Sequence, residues 1–185
     1  MGGIMRTHKV LLSEGQIRRQ VHKIAKRICV DFRGKDLVLV GVLKGAFVFL
    51  TDLAREIERL SLYDEGVQSC RIEFMSISSY GESRKPGDMR IELDVRCSLN
   101  DCNVILIEDV ADSLETLHRV RQILLERHPR ELRICVLLQK PDCHKRTDVP
   151  LHYVCFSIEN AGFVFGYGMD EQEKSRGLPY IAAAQ

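Results

Sequence analysis

The chain has 185 residues, enough for one domain with a substantial core and too few for two of ordinary size. Apolar residues make up 45% of it and charged residues 29%, an ordinary globular balance. A net charge of +1, from 27 basic and 26 acidic residues, excludes a global pull on nucleic acid, membranes or acidic partners. Any anionic ligand must be held by a local arrangement.

Ser13-Glu14-Gly15-Gln16 has the form of a capping box, with the Ser13 hydroxyl and the Gln16 amide covering free backbone donors. Behind it Ile17, Val21, Ile24, Ala25 and Ile28 recur at helical spacing, and Gly34 marks the end of the helix. Leu37 to Leu43 is a continuous apolar run, the pattern of a strand buried on both faces of a parallel sheet. Lys44-Gly45 breaks the run, and Ala46 to Leu60 is helical in period. Arg71 to Ile77 reads as a strand. The polar stretch Ser78 to Asp88, with Gly81, Pro86 and Gly87, reads as a long exposed loop of the kind used as lids. Ile91 to Val95 alternates like an edge or hairpin strand, Val104 to Ile107 is a buried strand, and Leu117 to Leu125 is a helix. Leu132 to Leu138, His152 to Phe156 and Gly162 to Tyr167 complete the set. Strands alternating with helices predict a single α/β domain with a mostly parallel sheet.

No apolar run approaches the roughly 20 residues of a membrane-spanning helix. Met1 to Val10 has basic residues without an apolar block behind them, so no signal peptide is expected, and Ile181 to Gln185 is not a peroxisomal address. A cytoplasmic location is the default expectation. The seven cysteines are odd in number and scattered, without the close pairs of zinc sites, which predicts reduced thiols.

In open α/β sheets ligands bind beyond the carboxyl ends of the strands. Three apolar runs here stop at charged residues: Lys44, Glu108-Asp109 with Asp112, and Lys140. Taken singly, a charge where a strand surfaces is commonplace. Val104-Ile105-Leu106-Ile107-Glu108-Asp109-Val110-Ala111-Asp112-Ser113-Leu114-Glu115-Thr116 differs in kind, because a buried strand runs into three carboxylates and then hydroxyls at a helix start. A helix N-terminus offers free N–H groups to a phosphate. Carboxylates just before it suit ribose hydroxyls or a divalent cation. N-capping alone explains Asp112 or Ser113, but not the Glu108-Asp109 pair.

This stretch resembles the phosphoribosyl-pyrophosphate signature of type I phosphoribosyltransferases, and four further segments resemble their hypoxanthine-guanine branch. Val42-Leu43-Lys44-Gly45 is similar to its first loop and Ser78-Ser79-Tyr80-Gly81 to the start of its flexible catalytic loop. Leu137-Leu138-Gln139-Lys140 is similar to its base-recognition segment. Phe163-Val164-Phe165-Gly166-Tyr167-Gly168-Met169-Asp170, followed by Arg176, is similar to its purine hood. The likeness runs in order from about Leu11 to Ile181.

The resemblance implies the type I phosphoribosyltransferase fold, with a small hood over the base site formed by the N-terminal segment and about 150–185. It implies transfer of a phosphoribosyl group to hypoxanthine or guanine, magnesium as cofactor, and a homodimer or homotetramer paired around the first loop. Glu108 and Asp109 would hold ribose hydroxyls, and Asp112 would exchange a proton at purine N7. Ser113, Leu114, Glu115 and Thr116 would cradle the 5′-phosphate. Lys140 would donate to the 6-oxo group, Phe163 would stack on the base, and the Val164 carbonyl and Asp170 would complete the purine site. Asp170 would also bind the metal. Leu43, Lys44, Gly45 and Arg176 would contact pyrophosphate, the peptide before Lys44 being cis in some members. Ser79 and Tyr80 would close over the site.

The phosphate segment departs from the family's commonest form, Thr-Gly-Lys-Thr. Leu114 stands where glycine permits close backbone approach and positive φ and is expected to give up that freedom, and Glu115 places a carboxylate beside the expected phosphate. Kinetoplastid members resemble this version. Two alternatives follow: a catalytically weakened paralogue acting as an interaction or regulatory subunit, and an RNA-binding regulator on the same fold. The even charge balance gives the second no basic face.

Overall fold

The long apolar runs form the inner strands of a six-stranded sheet in the computed structural model, which describes residues 8–63, 66–79 and 89–184. In chain order the elements are β1 (Lys9–Leu12), α1 (Glu14–Asp31), β2 (Asp36–Leu43), α2 (Phe47–Tyr63), β3 (Ser69–Ser79) and β4 (Met89–Leu93). Then come β5 (Asn103–Ala111), α3 (Glu115–Leu125), β6 (Glu131–Gln139), a 3-10 turn at Pro141–Cys143, β7 (Tyr153–Ser157), β8 (Val164–Phe165) and β9 (Ile181–Ala183). The large sheet runs β4-β3-β2-β5-β6-β7, parallel throughout except for the antiparallel edge pair β3–β4. The second sheet, β1-β9-β8, is antiparallel.

Alternation along the inner strands gives each face of the large sheet its own core. Leu37, Leu39, Ile105, Ile107, Cys135 and Leu137 face α1 and α2, packing with Ile17, Ile28, Phe49 and Leu53. Val38, Val40, Val104, Leu106, Ile134 and Val136 face the other way, onto Leu117, Val120 and Leu124 of α3. A strand covered on both faces reads as an unbroken apolar run, which is why these were visible in the sequence. At the start of α1, Gln16 Oε1 accepts from the Ser13 backbone N–H at 2.9 Å. The helix ends at Asp31, with Gly34 at φ 65° in the turn that follows.

Several boundaries differ from the sequence reading. β5 does not stop at Ile107; it continues to Ala111, so Glu108 and Asp109 lie within the strand. Backbone pairing with β6, Glu108 to Val136 and Ala111 to Gln139, carries the strand past the end of its apolar side chains. Ser78 and Ser79 likewise extend β3, paired with Arg90 and Met89, rather than opening a loop. The remainder of that expected loop, Tyr80 included, lies outside the described residues. β1 and β9 were not anticipated. No described helix is long and apolar enough to cross a membrane.

Candidate active site

The order β2-β5-β6 sets three strand ends side by side, and these deliver Lys44, Glu108 to Asp112, and Lys140 to one edge of the sheet. The Leu43–Lys44 peptide is cis. Directly after it, Gly45 is enclosed on two sides. A Cβ built on Gly45 would lie 1.7 Å from Asp109 Oδ2, and one built on Gly168, at φ +104°, would lie 2.2 Å from the Gly45 carbonyl oxygen. The first loop is therefore packed between the acidic strand end and the segment after β8, an approach that side chains would block.

Of the two adjacent carboxylates, Asp109 is the more accessible. Its Oδ1 accepts from the Val110 N–H at 2.7 Å. Glu108 is buried, and its carboxyl is pushed well above the usual carboxylate range by that burial and then by the charge of Asp109. Asp112 is exposed at the end of β5. Its carboxylate neighbours the Cys143 thiol and pushes that thiol up from its ordinary value. The turn that carries Cys143 also braces the neighbouring backbone: Lys140 N donates to Ala111 O at 2.9 Å, and Lys145 N to Ser113 O at 3.2 Å. Nothing in the sequence pattern signalled Cys143.

Leu114 adopts the left-handed conformation itself, at φ 66° and ψ 2°, at the N-cap of α3. Its side chain is buried among Leu117 and Val120, and its carbonyl accepts from His118 N at 2.9 Å. The expectation that leucine surrenders the glycine conformation is thus corrected: the conformation is kept, and burial of the side chain offsets its strain. Ser113 Oγ sits 3.4 Å from the Glu115 N–H, and Thr116 is exposed in the first turn. Glu115 is drawn aside by Arg146, at 3.5 Å, which also grips Asp148 through two contacts of 2.9 and 3.0 Å.

Lys140 is only 8% exposed, and its Nζ donates to Gly162 O at 2.6 Å. That bond ties the end of β6 to the residue preceding Phe163. Phe163 is 57% exposed, so it is not the core residue that an aromatic beside an apolar strand usually is. Its carbonyl is fixed by Ala184 N at 3.0 Å, leaving the ring as a free face. Val164 is buried in β8, paired with Ala183.

Arg176 gathers the remaining groups. It donates to Gly168 O at 3.0 Å and pairs with Asp170 Oδ1 at 2.9 Å and Glu173 Oε1 at 3.3 Å. The other Glu173 oxygen meets Lys44 Nζ at 2.9 Å. Sequence reasoning named Lys44, Asp170 and Arg176 but missed Glu173, which joins them.

Among the described residues no group of three or more His, Cys, Asp or Glu side chains is placed to hold a metal ion. Asp170 is a partly exposed single carboxylate whose oxygens take hydrogen bonds from Arg176 and the Glu173 N–H. That donor set fits a hard divalent cation which keeps water and phosphate oxygens as its other ligands.

Ser79 ends β3, and Tyr80 lies outside the described residues. A separate groove of about 1230 Å³ between α1, α2 and residues 176–179 is lined by Arg18, Asp52, Glu56 and Tyr167. It contains neither Asp112 nor Lys140, and the chemistry converges elsewhere.

Comparison with known proteins identifies the family of the chain. Residues 9–172 match the family model of the phosphoribosyl transferase domain. The chain is 41% identical over 177 residues to the hypoxanthine-guanine phosphoribosyltransferase of Dictyostelium discoideum, covering 95% of this chain and 94% of that protein. It is 36% identical over 178 residues to the hypoxanthine phosphoribosyltransferase of Escherichia coli K12, with the same coverage of 95% and 94%. Among solved structures, the hypoxanthine phosphoribosyltransferase of Trypanosoma cruzi in complex with the product IMP has a TM-score of 0.87 at 33% identity, covering 100% of this chain and 98% of that one. A hypoxanthine-guanine phosphoribosyltransferase from Bacillus anthracis gives a TM-score of 0.83 at 37% identity, covering 96% and 98%. By a family match across most of its length and relatives of this identity, the chain belongs to the phosphoribosyl transferase domain family.

Proposed function

We propose that this protein transfers the phosphoribosyl group of phosphoribosyl pyrophosphate to hypoxanthine or guanine, giving IMP or GMP and pyrophosphate, a reaction of purine salvage. The observation that carries the choice of base is the buried ammonium of Lys140, held by Gly162 O beside the exposed ring of Phe163. A flat aromatic face next to a fixed cationic donor suits a 6-oxopurine, which stacks on the one and accepts from the other. Adenine presents a donor at the same position and is disfavoured. The Val164 carbonyl accepts from the ring edge, and Asp170 lies at the far side of the base.

At the sugar, Asp109 and Glu108 accept from the ribose hydroxyls, and the latter's burial makes it the more selective of the two. Asp112, exposed at the strand end, takes or returns a proton at purine N7 as the glycosidic bond forms or breaks. The backbone of Ser113, Leu114, Glu115 and Thr116 opens α3 and receives the 5′-phosphate at its free N–H groups. Leu43, Lys44, Gly45 and Arg176 face the pyrophosphate. Asp170, together with the substrate's own oxygens, would hold magnesium, which would supply positive charge to the leaving pyrophosphate. Ser79 and Tyr80 close over the site and exclude water. The chain pairs as a homodimer or homotetramer; light scattering of the purified protein tests this.

The catalytically weakened paralogue is not favoured. Both features that suggested it are compensated, since Leu114 keeps the glycine-like backbone and Arg146 pairs with Glu115. Steady-state kinetics with hypoxanthine, guanine, xanthine and adenine at fixed magnesium test the proposal directly. Turnover with hypoxanthine or guanine and little with adenine is expected; absence of nucleotide formation with any base would sink it. Asp112→Asn should keep the fold and nucleotide binding while turnover drops sharply. Lys140→Ala should mainly lose discrimination for the 6-oxo group.

A further inference from the structure

We infer that Glu173 is an internal competitor for the pyrophosphate site, its carboxylate bridging Lys44 and Arg176 in the free protein until the diphosphate of the substrate displaces it. The inference rests on the reading of Lys44 and Arg176 as pyrophosphate contacts. One carboxylate spans two cations from opposite ends of the chain, with Oε2 at 2.9 Å from Lys44 Nζ and Oε1 at 3.3 Å from Arg176 Nη2. Two oxygens set between two cations reproduce, in the protein, the charge pattern a diphosphate would present.

The contact is built to be given up. The side chains of Lys44 and Glu173 are both 67% exposed, so water takes over their solvation when they part and salt screens their attraction. Arg176 does not depend on the bridge. It keeps Gly168 O at 3.0 Å and Asp170 Oδ1 at 2.9 Å, and so remains aimed at the site after Glu173 leaves. The backbone explains why Glu173 stands where it does. Glu171 and Lys174 exchange hydrogen bonds of 3.0 and 3.1 Å, closing a tight turn with Gln172 and Glu173 at its tip, both at positive φ. Asp170 Oδ2 accepts from the Glu173 N–H at 3.0 Å and ties the turn to the carboxylate proposed to hold magnesium.

An exposed ion pair contributes a factor of up to about five in an equilibrium, so loss of a bridge to two cations predicts a gain of roughly three- to tenfold. The experiment compares the wild-type protein with Glu173→Gln by calorimetric titration of magnesium pyrophosphate and by the KM for phosphoribosyl pyrophosphate. Glu173→Gln should bind both three- to tenfold more tightly, with the KM for hypoxanthine unchanged. Glu173→Asp, which reaches one cation less well, should fall between. If Glu173 merely supports the loop, Glu173→Gln will bind pyrophosphate as weakly as the wild type or more weakly, and competition is wrong. Lys44→Gln separates the two ideas. Weakened pyrophosphate binding in Lys44→Gln, with no gain in Glu173→Gln, removes the competitor role and leaves the pyrophosphate assignment standing. Unaltered binding in Lys44→Gln removes the assignment and the competitor role together.

Discussion

Asp109 lies against the backbone of Gly45 so closely that a Cβ on Gly45 would come within 1.7 Å of Asp109 Oδ2. The glycine is needed for space and not for conformation, since a side chain there meets a carboxylate on one side while its carbonyl faces Gly168 on the other. Gly45→Ala must push Asp109, the cis-linked loop, or both out of place. Overpacking of this kind costs about 1–3 kcal/mol of stability. A shift of about 1 Å in a reacting constellation costs about 100-fold in rate. Thermal melts and phosphoribosyl transfer kinetics of Gly45→Ala should therefore show a modest loss of stability and a large loss of kcat/KM. Near-normal turnover would mean that the loop and Asp109 are free to separate.

Leu114 sets two terms against each other. The left-handed conformation costs a leucine about 1–2 kcal/mol, and burial of its side chain returns about 2–3 kcal/mol. Leu114→Gly removes both, so a small net destabilisation is expected. Leu114→Ala loses the burial and keeps the strain, and should be less stable than the glycine variant by about 1 kcal/mol. Urea unfolding of the two variants gives the comparison. If alanine proves the more stable, the positive φ of Leu114 is not imposed by the fold.

The uneven legibility of the chain follows from how far apart its partners lie. Leu37 to Leu43 and, within Leu132 to Leu138, the run from Ile134 onward were visible as strands because covering on both faces leaves no polar position inside them. The site residues Lys44, Asp112 and Lys140 were visible because each stands where such a run ends. β1 and β9 were not, as four and three residues carry no usable period, and each becomes a strand only by pairing with the other across the whole chain. Glu173 escaped for the same reason: its partner Lys44 is 129 residues away, and nothing in its own neighbourhood points there. The extension of β5 through Glu108 and Asp109 is dictated by its neighbour β6, which the side chains of β5 do not announce.

Arg146 should protect the phosphate segment from its own acidic residue. It pairs with Glu115 at 3.5 Å while anchored on Asp148, keeping that carboxylate off the start of α3. Arg146→Ala releases Glu115 beside the proposed 5′-phosphate, where a second anion is repelled. A rise of about two- to fivefold in the Kd for IMP is expected, fading at high salt. Glu115→Gln in the same background should restore the affinity. An unchanged Kd in Arg146→Ala, or no rescue by Glu115→Gln, would show that the phosphate does not sense Glu115.

Glu108 makes the free protein less stable as pH rises. Its carboxyl is raised well above the ordinary value of 4.5 by burial first and by Asp109 second, so the folded chain holds a proton that the unfolded chain releases. Where the folded state binds more protons, stability falls with increasing pH. The loss begins above about 4.5, the unfolded value, and continues until the folded group itself ionises. Glu108→Gln carries no proton to release, so its stability should be flatter across that window and should overtake the wild type at the upper end. Ribose binding opposes this trend, because hydroxyl donors favour the ionised carboxyl. Thermal melts from pH 5 to 8 with and without IMP therefore test both halves of the argument. The gap between Glu108→Gln and wild type should grow with pH in the free protein and shrink when the nucleotide is bound. A wild-type profile that rises with pH as the variant's stays flat would reverse the sign and rule out a buried, proton-holding Glu108.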